Sequence, residues 1–202
     1  GGHRVSPSFP KGRPSDVVAR ALFAWAETRP CSGTSLLPGF VLGGEIECRM
    51  GNAMSPSHYA RGWHITSTCG IFGSAVGIGG LIGLSEEAHV WSIGHAAAQA
   101  AGLVETLGTM SKSISVGNAA RNGMLSALLA REGISGPVDP LAGERGFLRL
   151  YSDRPALERL TEWLGRTWEM AKKDRKGVGE GRSVGHGGRR AMKTKECKSL
   201  HR

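Results

Sequence analysis

Between Cys69 and Leu84 the chain runs for sixteen residues without a charged side chain, and Gly70, Gly73, Ser74, Gly77 and Gly80 recur through it at three- and four-residue spacing. On a helix that spacing gathers the small residues onto one face. A face with almost no side chain lets a neighbouring helix approach very closely, so the segment predicts a central helix from Thr66 or Ser67 to Leu84. A membrane span needs about 20 apolar residues, and His64 and Ser85-Glu86-Glu87 flank this run tightly, so it reads as a buried helix of a water-soluble fold. The string Gly77-Ile-Gly-Gly-Leu-Ile-Gly83 lacks both the G-x-G-x-x-G spacing and a preceding strand, which removes the dinucleotide-loop reading.

The rest of the chain follows the same helical period. A helix is predicted from Ser15 to about Arg29, with Val17, Val18, Ala21, Leu22, Trp25 and Ala26 on one face and Pro30 ending it. A second runs from Thr34 or Ser35 to about Met54, with Leu37, Val41, Leu42, Ile46, Met50 and Met54 as its apolar set. Ser55 to Trp63 is a polar link with room for one helical turn. Ser85 caps a fourth helix to about Ala101, with Glu86 and Glu87 in its first turn, where the dipole favours them. A fifth starts near Ser115 and ends at Gly133, a C-capping glycine. Phe147–Tyr151 fits a turn of helix or an edge strand. A last helix, capped by Ser152 or Asp153, carries Leu157, Leu160, Leu164 and Trp168 on one face. No period-two alternation occurs in residues 1–170, so the fold class is all-α, a helical bundle preceded by an extended Pro-rich loop at 1–14.

The net charge of +9 looks like a nucleic-acid signature until it is mapped. Residues 171–202 hold 11 of the 26 Lys and Arg but 3 of the 17 Asp and Glu, which puts +8 of that charge in the tail and leaves the body almost neutral. The tail has few large apolar residues and is predicted to be disordered. It has no aromatic residue to stack a base, so nucleic acid is a weak candidate partner. A shift of reading frame is an alternative origin for it. The chain starts at Gly1-Gly-His-Arg, without Met, and a missing beginning is expected. Cys31, Cys48, Cys69 and Cys197 show no C-x-x-C spacing, which argues against zinc and a disulfide framework and fits a cytoplasmic protein. Cys48 and Cys69 read as small core hydrophobes. His89 and His95, six apart, fall on different helix faces and are poor joint metal ligands.

Two polar clusters carry the chemistry. Tyr59-Ala-Arg-Gly-Trp-His64-Ile-Thr-Ser-Thr-Cys-Gly70 and Gly108-Thr-Met-Ser-Lys112-Ser-Ile-Ser-Val-Gly117 each read as a loop entering a helix. Helix starts leave backbone N–H groups unpaired and suit anions. His64 and Lys112 are then two cationic groups delivered to two helix entrances. The alternative reading is two unrelated loop residues.

Gly62-Trp-His64-Ile-Thr-Ser-Thr-Cys-Gly-Ile-Phe-Gly-Ser-Ala, Leu81-Ile-Gly-Leu-Ser and Lys112-Ser-Ile-Ser-Val-Gly117-Asn-Ala-Ala120 closely resemble the MmgE/PrpD family, which includes 2-methylcitrate dehydratase and cis-aconitate decarboxylase. The resemblance spans about residues 12–170 and implies the middle of that family's large helical domain. It further implies a lyase acting on a small polycarboxylate, a homodimer, and no metal or organic cofactor. His64 matches the histidine of the family's G-[FW]-H-x-T pattern and Lys112 the lysine ahead of its G-x-A-A helix, which makes His64 the acid/base group and Lys112 the charge stabiliser. Thr66, Ser111 and Gly117 are the accompanying substrate contacts, with Gly117 offering helix-entrance N–H groups. Arg13 in Arg13-Pro-Ser-Asp16 stands where the family pattern has a histidine; it can bind a carboxylate but cannot exchange a proton near neutral pH. An acidic loop before this point and the lid domain beyond Met170 have no counterpart here. Two further readings therefore stand beside the lyase: a non-catalytic truncated remnant, and a nucleic-acid binder acting through the tail.

Overall fold

The computed structural model of the protein describes residues 14–172. Arg13, the opening loop and the tail beyond Lys172 lie outside the described residues. The elements are α1 (Pro14–Thr28), α2 (Gly33–Met54), α3 (Ser57–Ala60), α4 (Ile65–Leu81), α5 (Glu86–Gln99), α6 (Ser111–Arg131), α7 (Phe147–Tyr151) and α8 (Glu158–Thr161), with a 3-10 turn at Val104–Thr106. No strand occurs among the described residues, and a single antiparallel bridge joins Trp63 to Leu103. No helix among them is long and apolar enough to cross a membrane.

Helix α4 is the axis of the bundle, with α1, α2, α5 and α6 all packed on it. It is buried without interruption from Ser67 to Gly79. The small-residue spacing accounts for this. A Cβ on Gly43 would sit 2.5 Å from the Gly73 carbonyl oxygen, and one on Gly39 2.7 Å from that of Gly77. The two glycine pairs run in opposite order, so α2 and α4 are antiparallel and meet backbone to backbone. On other sides of α4, Gly70 takes the Val17 side chain of α1, and Gly123 of α6 lies against the Ile71 carbonyl. Val17, Val18, Ala21, Leu22 and Trp25 are buried as predicted for α1.

Helix α2 departs from its predicted face. Its first half is buried through Gly39, Gly43 and Gly44, while Leu37, Val41 and Leu42 are 59%, 38% and 37% exposed. The close contact with α4 turns the glycines inward and the leucines outward. Its second half buries charge: Glu45, Glu47 and Arg49 as well as Cys48 and Met50.

Arg49 also explains why the predicted last helix is short. Its Nη1 donates to the carbonyls of Arg159 (3.3 Å), Leu160 (3.2 Å) and Glu162 (2.9 Å), and Nη2 donates to that of Thr167 (2.9 Å). Those carbonyls satisfy a guanidinium rather than amides four residues on, so the helix stops at Thr161. Trp163 (φ 56°) and Gly165 (φ 78°) then turn the chain through left-handed backbone. Leu164 and Trp168 stay exposed, while Leu157 and Leu160 pack on the core. Ser152 does not open the last helix, whose N-cap is Leu157; it closes α7 as its C-cap, and its hydroxyl donates to the Met54 carbonyl at 3.1 Å. Phe147–Tyr151 takes the helical alternative.

Candidate active site

His64 is the N-cap of α4, which starts at Ile65, one or two residues before the start read from sequence, and it has extended backbone (φ −80°, ψ 96°). Several contacts fix that posture. Its amide donates to the Gly102 carbonyl (3.0 Å), and the Val104 amide donates to the Gly62 carbonyl (2.8 Å), which clips the loop after α5 onto the loop before α4. Gly102 has φ 143°, and a Cβ there would meet the Ser67 side chain at 2.7 Å. Behind the loop, the rings of Trp63 and Tyr151 lie 4.6 Å apart, and Trp63 stacks over the buried His58. His58 Nδ1 donates to the Tyr151 carbonyl (2.8 Å) and Nε2 lies 2.7 Å from the Thr68 hydroxyl, which itself sits 3.2 Å from the His64 carbonyl.

Lys112 enters from α6, which begins at Ser111 and not near Ser115, so Lys112 stands in the first helical turn. The two helix starts touch. His64 Nδ1 lies 2.9 Å from the Ser67 hydroxyl, Ser67 lies 3.0 Å from the Ser115 hydroxyl, and Ser115 donates to the Lys112 carbonyl at 2.9 Å. His64 is 6% exposed. Burial, and then the charge of Lys112, hold the His64 pKa below its ordinary value. Among the described residues no carboxylate lies within ion-pair distance of Lys112. Neither helix start has a side-chain cap. A buried imidazole, a cation without an internal counter-ion and two uncapped helix starts together suit a carboxylate that must exchange a proton.

Residues 9–160 match the MmgE/PrpD N-terminal domain. The chain belongs to the MmgE/PrpD family. Cis-aconitate decarboxylase of Homo sapiens is 33% identical over 153 residues, covering 71% of this chain and 31% of that protein. Cis-aconitate decarboxylase of Aspergillus terreus is 32% identical over 148 residues, covering 68% of this chain and 30% of that protein. A cis-aconitate decarboxylase-like protein of Aspergillus oryzae is 33% identical over 175 residues, covering 77% of this chain and 36% of that protein. The aligned part is thus about a third of each of these relatives, and this MmgE/PrpD chain spans well under two thirds of their length.

Of the residues picked out from sequence, His64 and Lys112 come together. Thr66 is half-buried in the first turn of α4, and Ser111 is the exposed first residue of α6. Gly117 is a correction: it lies in the interior of α6, where its amide belongs to the helix ladder, and so it is not a helix entrance. His89 Nδ1 bonds the Ser85 carbonyl and His95 Nε2 that of Ile134, and no group of metal-ligating side chains forms among the described residues. Sequence reading missed Ser67 and Ser115 as site residues. The available signal was their spacing, since each follows a cationic residue by three positions in a helical first turn.

Proposed function

We propose that this chain forms part of the substrate pocket of a lyase acting on a small di- or tricarboxylate, of the cis-aconitate decarboxylase or 2-methylcitrate dehydratase type. The observation that carries the reading is the convergence of His64 and Lys112 at two touching, uncapped helix starts within an MmgE/PrpD chain. That these relatives are cis-aconitate decarboxylases supports the same substrate class.

In a decarboxylation, the bond from the carbon skeleton to one carboxyl carbon breaks and CO₂ leaves. The electron pair stays on the skeleton, delocalised toward a remaining carboxylate. The Lys112 ammonium stabilises that developing charge electrostatically. Protonated His64 then donates its proton to the carbon and is left neutral. In a dehydration the same pair serves differently: neutral His64 removes the proton beside a carboxylate that Lys112 holds, the electron pair left on that carbon forms the double bond as the neighbouring C–O bond breaks, and the hydroxide takes the His64 proton and leaves as water. Thr66, Ser111 and Arg13 contribute further carboxylate contacts, and two copies pair through the helical domain.

The test is turnover of cis-aconitate, 2-methylcitrate and citrate by the 202-residue chain, with His64→Ala and Lys112→Ala beside it. Each variant is expected to lose on the order of 100-fold or more in rate. An active chain whose two variants keep full rate overturns the assigned roles. A chain that neither turns over nor binds these acids supports the non-catalytic reading instead.

A further inference from the structure

The serine pair beneath His64 decides which nitrogen of that histidine works as the base. A hydroxyl has one proton to give. The Lys112 carbonyl can only accept, so the Ser115 proton is committed to it at 2.9 Å. Ser115 can then only accept from Ser67, and the Ser67 proton is committed across the helix interface at 3.0 Å. The Ser67 oxygen, having spent its proton, accepts at its remaining contact, where His64 Nδ1 lies at 2.9 Å. Every step of this assignment follows from the backbone carbonyl at its far end.

We propose that Ser67 and Ser115 are positioning residues that hold neutral His64 as its Nδ1–H tautomer, so that protons enter and leave at Nε2. This deepens the reading of His64 as the acid/base group and rests on it for its catalytic meaning. The arrangement persists through a proton cycle: in the imidazolium form Nδ1–H still donates to Ser67, and only Nε2 changes. The carbonyl that orders the chain belongs to Lys112, so the residue that carries the stabilising charge also orients the base.

Ser115 does not touch the imidazole, which makes it the informative position. With Ser115→Ala, the Ser67 hydroxyl loses its acceptor and becomes able to donate to Nδ1, which favours the Nε2–H tautomer. Ser115→Thr keeps the hydroxyl, and threonine in a helix readily bonds the carbonyl three residues back. The experiment is long-range ¹H–¹⁵N correlation spectroscopy of the full chain labelled at histidine, with the His64 signal assigned by its loss in His64→Gln.

The expected wild-type spectrum shows Nδ1 protonated and Nε2 unprotonated above the His64 pKa. Ser115→Ala is expected to invert that pattern, and Ser115→Thr to restore it. A wild-type His64 in the Nε2–H form overturns the proposal outright, as does a Ser115→Ala variant with unchanged tautomer. The readout needs no substrate. A chain with the expected tautomers but no lyase activity would retire the functional reading and leave the hydrogen-bond assignment standing, while turnover with the opposite tautomer would do the reverse.

Discussion

Arg49 Nε meets Glu45 Oε1 at 2.7 Å, one helical turn apart on α2, with side chains only 2% and 0% exposed. The second Glu45 oxygen accepts from the Met170 amide at 3.0 Å. This ion pair therefore fastens the segment from Arg159 to Met170 to the bundle at both of its charges. Removing one partner of a buried pair costs about 3–5 kcal/mol, because the other charge is left uncompensated. Arg49→Ala is expected to lose that much in urea denaturation and to expose the segment around Trp163 to limited proteolysis. An unchanged midpoint would mean the pair contributes nothing to stability.

Gly43 of α2 and Gly117 of α6 both lie inside helices that pack on α4, and they should respond oppositely to one methyl group. At Gly43 the obstacle is the Gly73 carbonyl, which is backbone and cannot rotate away. Gly43→Ala is expected to destabilise by about 1–3 kcal/mol through overpacking. Nothing lies within 4 Å of a Cβ at Gly117, so Gly117→Ala should stabilise by roughly 0.5–1 kcal/mol through helix propensity. Thermal denaturation of the two variants checks both signs.

His58 sets a pH dependence of stability. Burial lowers its pKa most, the hydrogen bond to the Tyr151 carbonyl opposes this, and the Arg61 charge lowers it further, leaving it below the ordinary 6.5. Below pH 6.5 the unfolded chain binds a proton that the folded chain refuses, so stability rises with pH through this window. It is complete above 6.5 and is lost as pH falls toward and through the folded pKa. Denaturation midpoints at pH 7.5 and pH 5 should differ in that sense, and His58→Gln should narrow the difference.

Lys112 and His64 are linked electrostatically, so a change at one is readable at the other. Lys112→Ala removes the second cause of the lowered His64 pKa and leaves the first, burial, in place. The His64 pKa is expected to rise without reaching its ordinary value. Added salt should move the wild-type pKa in the same direction, because part of the interaction is exposed to solvent. An NMR titration that finds the same pKa in both proteins would separate the two residues.

The all-α class, the buried α1 face and the central α4 were legible because they rest on periodicity, and glycine spacing reports close approach directly. What escaped depends on partners distant in sequence. Leu37, Val41 and Leu42 look like a core face until the Gly39 and Gly43 contacts rotate α2. The run from Asp153 to Trp168 has a helical pattern, yet Arg49, more than a hundred residues earlier, claims its carbonyls. At the site, His64 and Lys112 stood out as ionisable residues at helix starts. Ser67 and Ser115 did not, since a serine near a helix start ordinarily reads as a cap.

The Gly39–Gly77 and Gly43–Gly73 contacts are made of atoms that have no rotamers. A joint of that kind has no soft coordinate: α4 cannot slide along α2 without driving carbonyls into Cα atoms. The imidazole at the head of α4 is thereby placed on a fixed rail, and its height above α2 does not depend on how side chains settle. Any adjustment of the gap between His64 and Lys112 falls to the other side, where the first turns of α6 extend past the Gly123 contact and meet α4 through hydroxyl groups. The rigid jaw holds the imidazole, and the adjustable jaw holds the ammonium.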